Sequence, residues 1–140
     1  MRARFSGAIA LAVAGVLTMS CGGIIDPSTN QVETFSGTVA KGGFSSPGFA
    51  FTVGKTGEFT VKITALAPNS SAVMGVLYTQ SLGDGSCSST LPPLQQNNFV
   101  LVNAPALTGQ ILSGRYCVFV FDPFGTLTAT ATFTATVSHP

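Results

Sequence analysis

The sequence has little charge and few side chains of the kinds that acid–base and metal chemistry use. Its 140 residues include five acidic residues, six basic residues, one histidine and no tryptophan. General acid–base catalysis and metal binding both recruit Asp, Glu, His and Cys. The composition therefore argues against an enzyme and against a metal or other cofactor. It also argues against nucleic acid as a partner, since that needs several clustered cations to neutralise phosphates.

The sequence lacks an apolar run long enough to span a bilayer as a helix. A span needs about 20 apolar residues, whereas the run from Ala8 to Leu17 has about ten. Arg2 and Arg4 precede this run, and small or polar residues follow it up to Ser20. A charged start, a short apolar core and a small-residue cleavage region are the three parts of a secretory signal. Residues 1–20 are therefore predicted to be a signal peptide that is absent from the mature protein.

Cys21 directly follows this segment. Its place after Ser20 resembles the lipobox of bacterial lipoproteins, in which the cysteine becomes the lipid-bearing N-terminus, although Thr18 stands where such boxes usually have leucine. Cleavage by an ordinary signal peptidase is the alternative. We expect Cys21 to be acylated, so that a lipid anchor attaches the protein to a membrane, and residues 21–31 to form a tether. The expected location is the outer membrane or the cell surface, or otherwise the periplasm or the medium.

The cysteine count gives independent support for acylation. Three cysteines in an exported chain leave one unpaired, unless Cys21 carries a lipid and Cys87 pairs with Cys117. A cross-link between positions so far apart in sequence would stabilise the domain by about 3–4 kcal/mol on the loop-closure model. The alternative is a pair of buried free thiols.

Alternation of apolar and polar residues dominates residues 32–140. It is clearest from Thr126 to Val137, and it recurs at Phe59–Ala65 and Phe49–Val53. Such alternation predicts β-strands with one buried face. Clusters of Gly, Pro, Asn, Asp and Ser separate the runs at intervals of about ten residues. The sequence therefore predicts one all-β domain, a single antiparallel β-sandwich of seven or eight strands, with a small barrel as the second choice.

Two segments are expected to need neighbours on both sides. Arg115–Asp122 is apolar on both faces, which predicts a central strand covered on both sides, or one covered on one side by packing and on the other by a loop or a partner. Thr126–Val137 has none of the lysine, proline or bulges that usually protect an edge strand, so it should be central or should pair with another chain. Pairing with another chain would make the protein a self-assembling surface or filament subunit joined by strand addition.

Three short motifs resemble the bacterial pre-peptidase C-terminal domain. They are Val53–Val61, Ser113–Val118 and Thr132–Val137. In that family a strand opens twice after a glycine turn with an aromatic residue and a valine, and the domain closes on an alternating strand. The resemblance implies a jelly-roll-like accessory sandwich without catalytic activity of its own. Many members carry acidic clusters that can bind calcium, whereas this chain has one carboxylate, Asp84, around Gly83–Ser86.

Few individual residues are candidates for a site. Sugar-binding sandwiches stack their ligands on exposed aromatic rings, and an exposed patch around Tyr78 or Phe124 would suit such a ligand. His139 is expected at a frayed terminus, a poor place for a catalytic residue. Asp84 and Asp122 are expected to be turn residues.

Together these observations predict a non-enzymatic, lipid-anchored module of the bacterial cell envelope with a binding or structural role. The expected partner is a protein or a glycan, or a second copy of the same chain in a homo-oligomer. A carbohydrate-binding module and a self-assembling subunit are the alternative functions.

Overall fold

The computed structural model describes residues 29–140. The predicted signal peptide, Cys21 and the tether up to residue 28 lie outside the described residues. The first strand begins at Gln31, the last residue of the predicted tether.

Eight β-strands form two four-stranded sheets. The strands are β1 (Gln31–Val39), β2 (Phe49–Val53), β3 (Gly57–Ala67), β4 (Met74–Gln80), β5 (Gln95–Val100), β6 (Pro105–Ile111), β7 (Gly114–Phe121) and β8 (Ala131–His139). Sheet A has the order β1-β8-β3-β6 and sheet B the order β2-β7-β4-β5. All neighbouring strands are antiparallel. Eight strands in this order make a jelly roll, and the prediction of a single antiparallel β-sandwich is confirmed.

The main core lies between the sheets and is filled by alternate residues of the strands. β8 buries every second residue from Ala131 to His139, and β3 does so from Gly57 to Ile63. Successive side chains of a strand point to opposite faces, so the threonines between these residues lie on the outer face. Burial of each large apolar side chain contributes about 1.5–3 kcal/mol.

The threonine-rich segment is shorter as a strand than predicted. β8 begins at Ala131 rather than at Thr126, because the Asp122 carboxylate accepts hydrogen bonds from the backbone N–H groups of Thr126 and Leu127 and holds them in a loop. β8 pairs with β1 on one side and β3 on the other, which confirms the predicted central position. Its backbone is therefore not free for strand addition.

β7 is the central strand with two apolar faces that the sequence predicted. Alternate residues such as Val118 face the main core, while Cys117, Phe119 and Phe121 lie on the outer side with Leu77 of β4. The loop that contains Cys87 packs against this outer cluster. Phe44, in the segment before β2, adds ring contacts to Phe119 and Phe121 at 6.4 and 5.0 Å.

Two glycines make room for the outer phenylalanine rings. A Cβ atom at Gly75 of β4 would lie 2.3 Å from the Phe121 ring, and one at Gly48 would lie 2.4 Å from the Phe119 ring. Each ring occupies the space that a neighbouring side chain would otherwise fill. The outer cluster therefore depends on glycine at both positions.

Candidate functional site

The described domain is cross-linked by one disulfide. Cys87 and Cys117 are bonded at 2.01 Å, with their Cα atoms 5.6 Å apart. The bond attaches the long β4–β5 loop to the outer side of the central strand β7. The predicted pairing is confirmed, and both thiols of the domain are used by it.

An exposed pair of aromatic rings lies at one end of the sandwich. Phe99 of β5 and Phe124, in the loop after β7, have ring centroids 5.2 Å apart and planes inclined at 48°. Phe99 is 73% exposed and Phe124 is 49% exposed, and Leu101 beside them is 51% exposed. Phe124 is thus at the surface, as the sequence-based interpretation required. The two inclined rings form an apolar surface that is open to solvent.

Asp122 fixes the loop that carries Phe124. Its carboxylate accepts hydrogen bonds from the backbone N–H groups of Gly42, Thr126 and Leu127 at 3.0, 3.2 and 3.1 Å. Burial alone would raise the pKa of this carboxyl, but these backbone hydrogen bonds together lower it below its ordinary value. Asp122 is therefore the turn residue that the sequence predicted. By tying the β1–β2 connection to the Phe124 loop, it also positions one ring of the aromatic pair.

Four uncharged amide side chains directly precede Phe99 in β5. Asn97 accepts a hydrogen bond from the Phe99 N–H at 2.9 Å, and Gln96 donates to Asn98 at 2.6 Å. Amides offer both donors and acceptors. The site thus combines apolar ring surface with neutral hydrogen-bonding groups.

The prediction of an exposed patch around Tyr78 is wrong. Tyr78 is only 9% exposed, and its ring packs edge-on against Phe59 and Tyr116 in the core. Burial, with a smaller contribution from Tyr116, raises the pKa of its hydroxyl. Nearly all of β4 is buried, so the sequence contained no alternation from which the direction of this side chain could be read.

The expectation of a frayed terminus at His139 is also wrong. β8 extends to His139, which pairs with Gln31 and is 1% exposed. Its Nε2 atom lies 2.8 Å from Glu33 Oε1, and its ring packs against Phe51 with centroids 5.3 Å apart. The histidine thus joins the two sheets and the end of β1.

The other titratable residues do not assemble into a centre. Among residues 29–140, no group of three or more His, Cys, Asp or Glu side chains could hold a metal ion. Asp84 accepts hydrogen bonds from the Ser86 hydroxyl and N–H at 2.6 and 2.8 Å, which lower the pKa of its carboxyl. This turn-stabilising role is the one predicted for Asp84.

Phe99 is the residue of the site that sequence reasoning did not assign. It follows the polar run Gln95–Asn98, and a register shift in the β4–β5 pairing disturbs simple alternation there. The one local signal is a large apolar residue directly after four amides. Its partner Phe124 is distant in sequence, and only the fold brings the two rings together.

Comparisons with known proteins add no relative to these observations. No protein-family model matches the sequence, and no curated protein does. The resemblance to the pre-peptidase C-terminal domain rests on its short motifs and stays a prediction. Residues 29–140 contain no helical segment with the length and hydropathy of a membrane span.

Proposed function

We propose that this protein is a non-catalytic, lipid-anchored module of the bacterial cell envelope that displays a binding surface on a jelly-roll domain. The observation that carries this proposal is the Cys87–Cys117 disulfide. Because it uses both thiols of the domain, Cys21 is the one remaining cysteine of the chain. Its position after a signal-like segment suits acylation, and a structural disulfide suits an oxidising compartment.

The position of the aromatic pair supports a display role. Gly42, just beyond the C-terminal end of β1, donates to the Asp122 carboxylate beside the Phe124 loop. The pair is thus at the end of the sandwich opposite Gln31, where the chain enters the domain, and nine residues of strand separate the two ends by about 30 Å. A partner could reach the rings at the end remote from the anchor.

The anchor is tested by intact mass spectrometry of the protein isolated from its native host, without reduction. We expect a mature chain that begins at Cys21, carries the mass of an acylated glycerol and has no free thiol. The Cys21→Ala variant, which keeps both domain cysteines, should carry no lipid and should leave the membrane fraction. A wild-type chain without lipid mass would contradict the anchor while leaving the fold unaffected.

A glycan is the ligand class that the exposed site favours as a second, more specific function. Aromatic rings offer apolar faces on which the C–H faces of sugar rings can stack. The Asn98 amide, next to Phe99 in the strand, can donate its NH2 group to sugar hydroxyls, while its carbonyl accepts from Gln96. Exposed rings without charge suit a neutral polysaccharide better than a charged ligand.

This second function is tested with insoluble polysaccharides, using cellulose, chitin, xylan and peptidoglycan as probes in sedimentation binding assays. We expect Phe99→Ala and Phe124→Ala each to weaken binding by about tenfold, which corresponds to about 1.4 kcal/mol. Leu112→Ala is the matched control, since Leu112 is 64% exposed at the opposite end of the sandwich. Equal binding by all three variants would rule out the aromatic pair as the site.

A further inference from the structure

The jelly roll has four edge strands, and they differ in how their edges are protected. β1 and β6 flank sheet A, and β2 and β5 flank sheet B. An edge strand presents unpaired N–H and C=O groups that can pair with another chain. Proteins usually protect such edges with proline, lysine, bulges, short strands or covering groups. Three of these four strands carry such features.

β5 and β6 protect each other across one side of the sandwich. Gln95 and Asn97 of β5 donate side-chain hydrogen bonds to the backbone carbonyls of Thr108 and Ala106 in β6, at 3.3 and 2.9 Å. β6 also begins with Pro105, and register shifts interrupt the pairing of both strands with their neighbours. β2 is protected differently, because it has only five residues and follows shortly after Pro47.

In the described part of the chain, β1 has no proline, lysine, bulge or covering strand, and its one protective feature is the charge of Glu33. Its nine residues pair with β8 in unbroken register from Gln31 to Val39, and it contains no lysine, arginine or proline. Its one charged residue, Glu33, is bonded to His139. Within residues 29–140, no strand pairs with the other edge of β1. β1 is therefore a long, regular edge strand open to pairing.

An apolar seam runs beside this edge. Phe35 of β1 and Phe49 of β2 stack face to face, with centroids 4.3 Å apart and planes within 6°. Both rings are only half-buried, and they lie where the two sheets open on the β1–β2 side. A partner that contributes only one added strand would pair with the β1 backbone and leave these rings uncovered. A second sandwich that pairs at β1 would also cover the rings.

We propose that β1 pairs antiparallel with β1 of a second copy of this chain, on a two-fold axis at Phe35. Phe35 is the middle residue of β1, so this register pairs all nine residues of each strand. Such an interface uses the same patch on both copies, as two-fold dimers do. The two sheets A then form one continuous eight-stranded sheet.

The side chains of β1 are self-complementary in this register. Thr34 lies opposite Ser36 of the second copy, and Ser36 already makes the same kind of hydroxyl contact with Thr134 of β8 at 3.0 Å. Glu33 lies opposite Gly37, so no like charges face each other. The two Phe35 rings meet at the axis and bring the two apolar seams together, since directly opposed side chains of paired strands are in contact.

The dimer does not depend on the proposed acylation or on the aromatic pair at Phe99. Edge pairing buries a small interface, and small interfaces are typically weak. Attachment of both copies to one membrane would raise their effective concentration. The test is therefore made on a chain without lipid, so that failure of this proposal and failure of the anchor are distinguishable.

Sedimentation equilibrium of the mature chain from residue 21, with Cys21→Ser to prevent thiol-linked dimers, measures the association. We expect a reversible dimer. Thr34→Lys together with Ser36→Lys should raise the dimer dissociation constant by at least about tenfold, because each lysine then opposes another across the axis. Thr108→Lys with Gln110→Lys is the matched control: it adds the same charge at exposed positions on the opposite edge of sheet A and should leave the dimer unchanged. Thermal unfolding verifies that both variants fold.

Hydrogen exchange of the β1 amides gives a second readout. We expect the amides on the outer edge of β1 to become protected as protein concentration rises, and to lose that protection in the Thr34→Lys/Ser36→Lys variant. A chain that stays monomeric up to about 1 mM would overturn the proposal. So would protection of these amides in the monomer, or a dimer that only the β6 lysines disrupt.

Discussion

The outer faces of the two sheets differ sharply in chemistry. The outer face of sheet A consists largely of hydroxyl side chains of β1 and β8, such as Thr34, Thr132 and Thr136, and no described segment covers it. The outer face of sheet B is apolar around Phe119, and a loop cross-linked through Cys87 packs on it. A sheet that faces water on one side is stable when apolar and polar residues alternate along its strands. A sheet that is apolar on both sides needs an additional covering layer, here held by a disulfide.

This contrast predicts where substitutions are costly. The largest effect should come from Phe119→Ala, because Phe119 is 3% exposed although it lies outside the main core. Truncation of a buried phenylalanine costs about 3–5 kcal/mol. Urea unfolding with the disulfide intact measures it. Phe124→Ala, at an exposed ring, is the control and should cost much less. Equal losses would mean that the loop does not shield the outer cluster.

Removal of the cross-link should have a slightly smaller effect. Cys87→Ala with Cys117→Ala is expected to lower the free energy of unfolding by about 3–4 kcal/mol, since the denatured chain regains the entropy of a long loop. Reduction of the wild-type protein should lower the free energy of unfolding by a similar amount, which is seen as a lower midpoint of urea unfolding. If neither treatment shifts the midpoint, the outer cluster holds the loop without the bond.

Asp122→Ala should cost about 2 kcal/mol, because three backbone N–H groups lose a charged acceptor. Asp84→Ala is the control, since the Asp84 carboxylate is exposed and bonds only within its own turn. Denaturant unfolding at pH 7 compares the two. A loss for Asp122→Ala no larger than that for Asp84→Ala would contradict the positioning role of Asp122.

The Asp122 interaction also predicts a pH dependence. The pKa of this carboxyl is lowered in the folded protein from its ordinary value of 3.8. Its contribution is therefore complete above the unfolded pKa and is lost as the pH falls through the lower, folded pKa. The free energy of unfolding should drop below about pH 4 in the wild type and less steeply in Asp122→Ala. Parallel curves would exclude Asp122 as the source.

The smallest effect is expected on the uncovered face. Thr132→Val should change the free energy of unfolding by no more than about 0.5 kcal/mol, because the exposed hydroxyl is hydrated in both states and the β-branched shape is kept. Thermal or urea unfolding measures it. A loss of several times this size would show that the outer face of sheet A is covered, and would remove the contrast between the sheets.

Much of the fold could be predicted from the sequence, because its signals are local. Alternation in β3 and β8 identified strands with one buried face, and the uniformly apolar β7 identified a strand with two. The absence of edge protection in the threonine-rich segment predicted its central position. Cysteine parity predicted the disulfide, since only one pairing remains once Cys21 is set aside.

The errors arose where local pattern carried no directional information. Tyr78 lies in a strand that is buried on both faces, so alternation could not distinguish core from surface. His139 was expected to fray, but β1 pairs along the full length of β8 and Glu33 meets the imidazole. Both outcomes depend on a neighbouring strand that is far away in sequence.

The sequence by itself therefore determined the alternating strands such as β3 and β8, their buried faces, and the pairing of the two domain cysteines, because period-two alternation and thiol chemistry are properties of the chain. Only the tertiary structure decided which strands became edges, which of them carry protection, and that Phe99 and Phe124 meet at one end. Those features depend on strand order and register, which long-range pairing between the two sheets establishes. The open edge at β1 and the exposed aromatic pair, the two surfaces proposed to act, both belong to this second group.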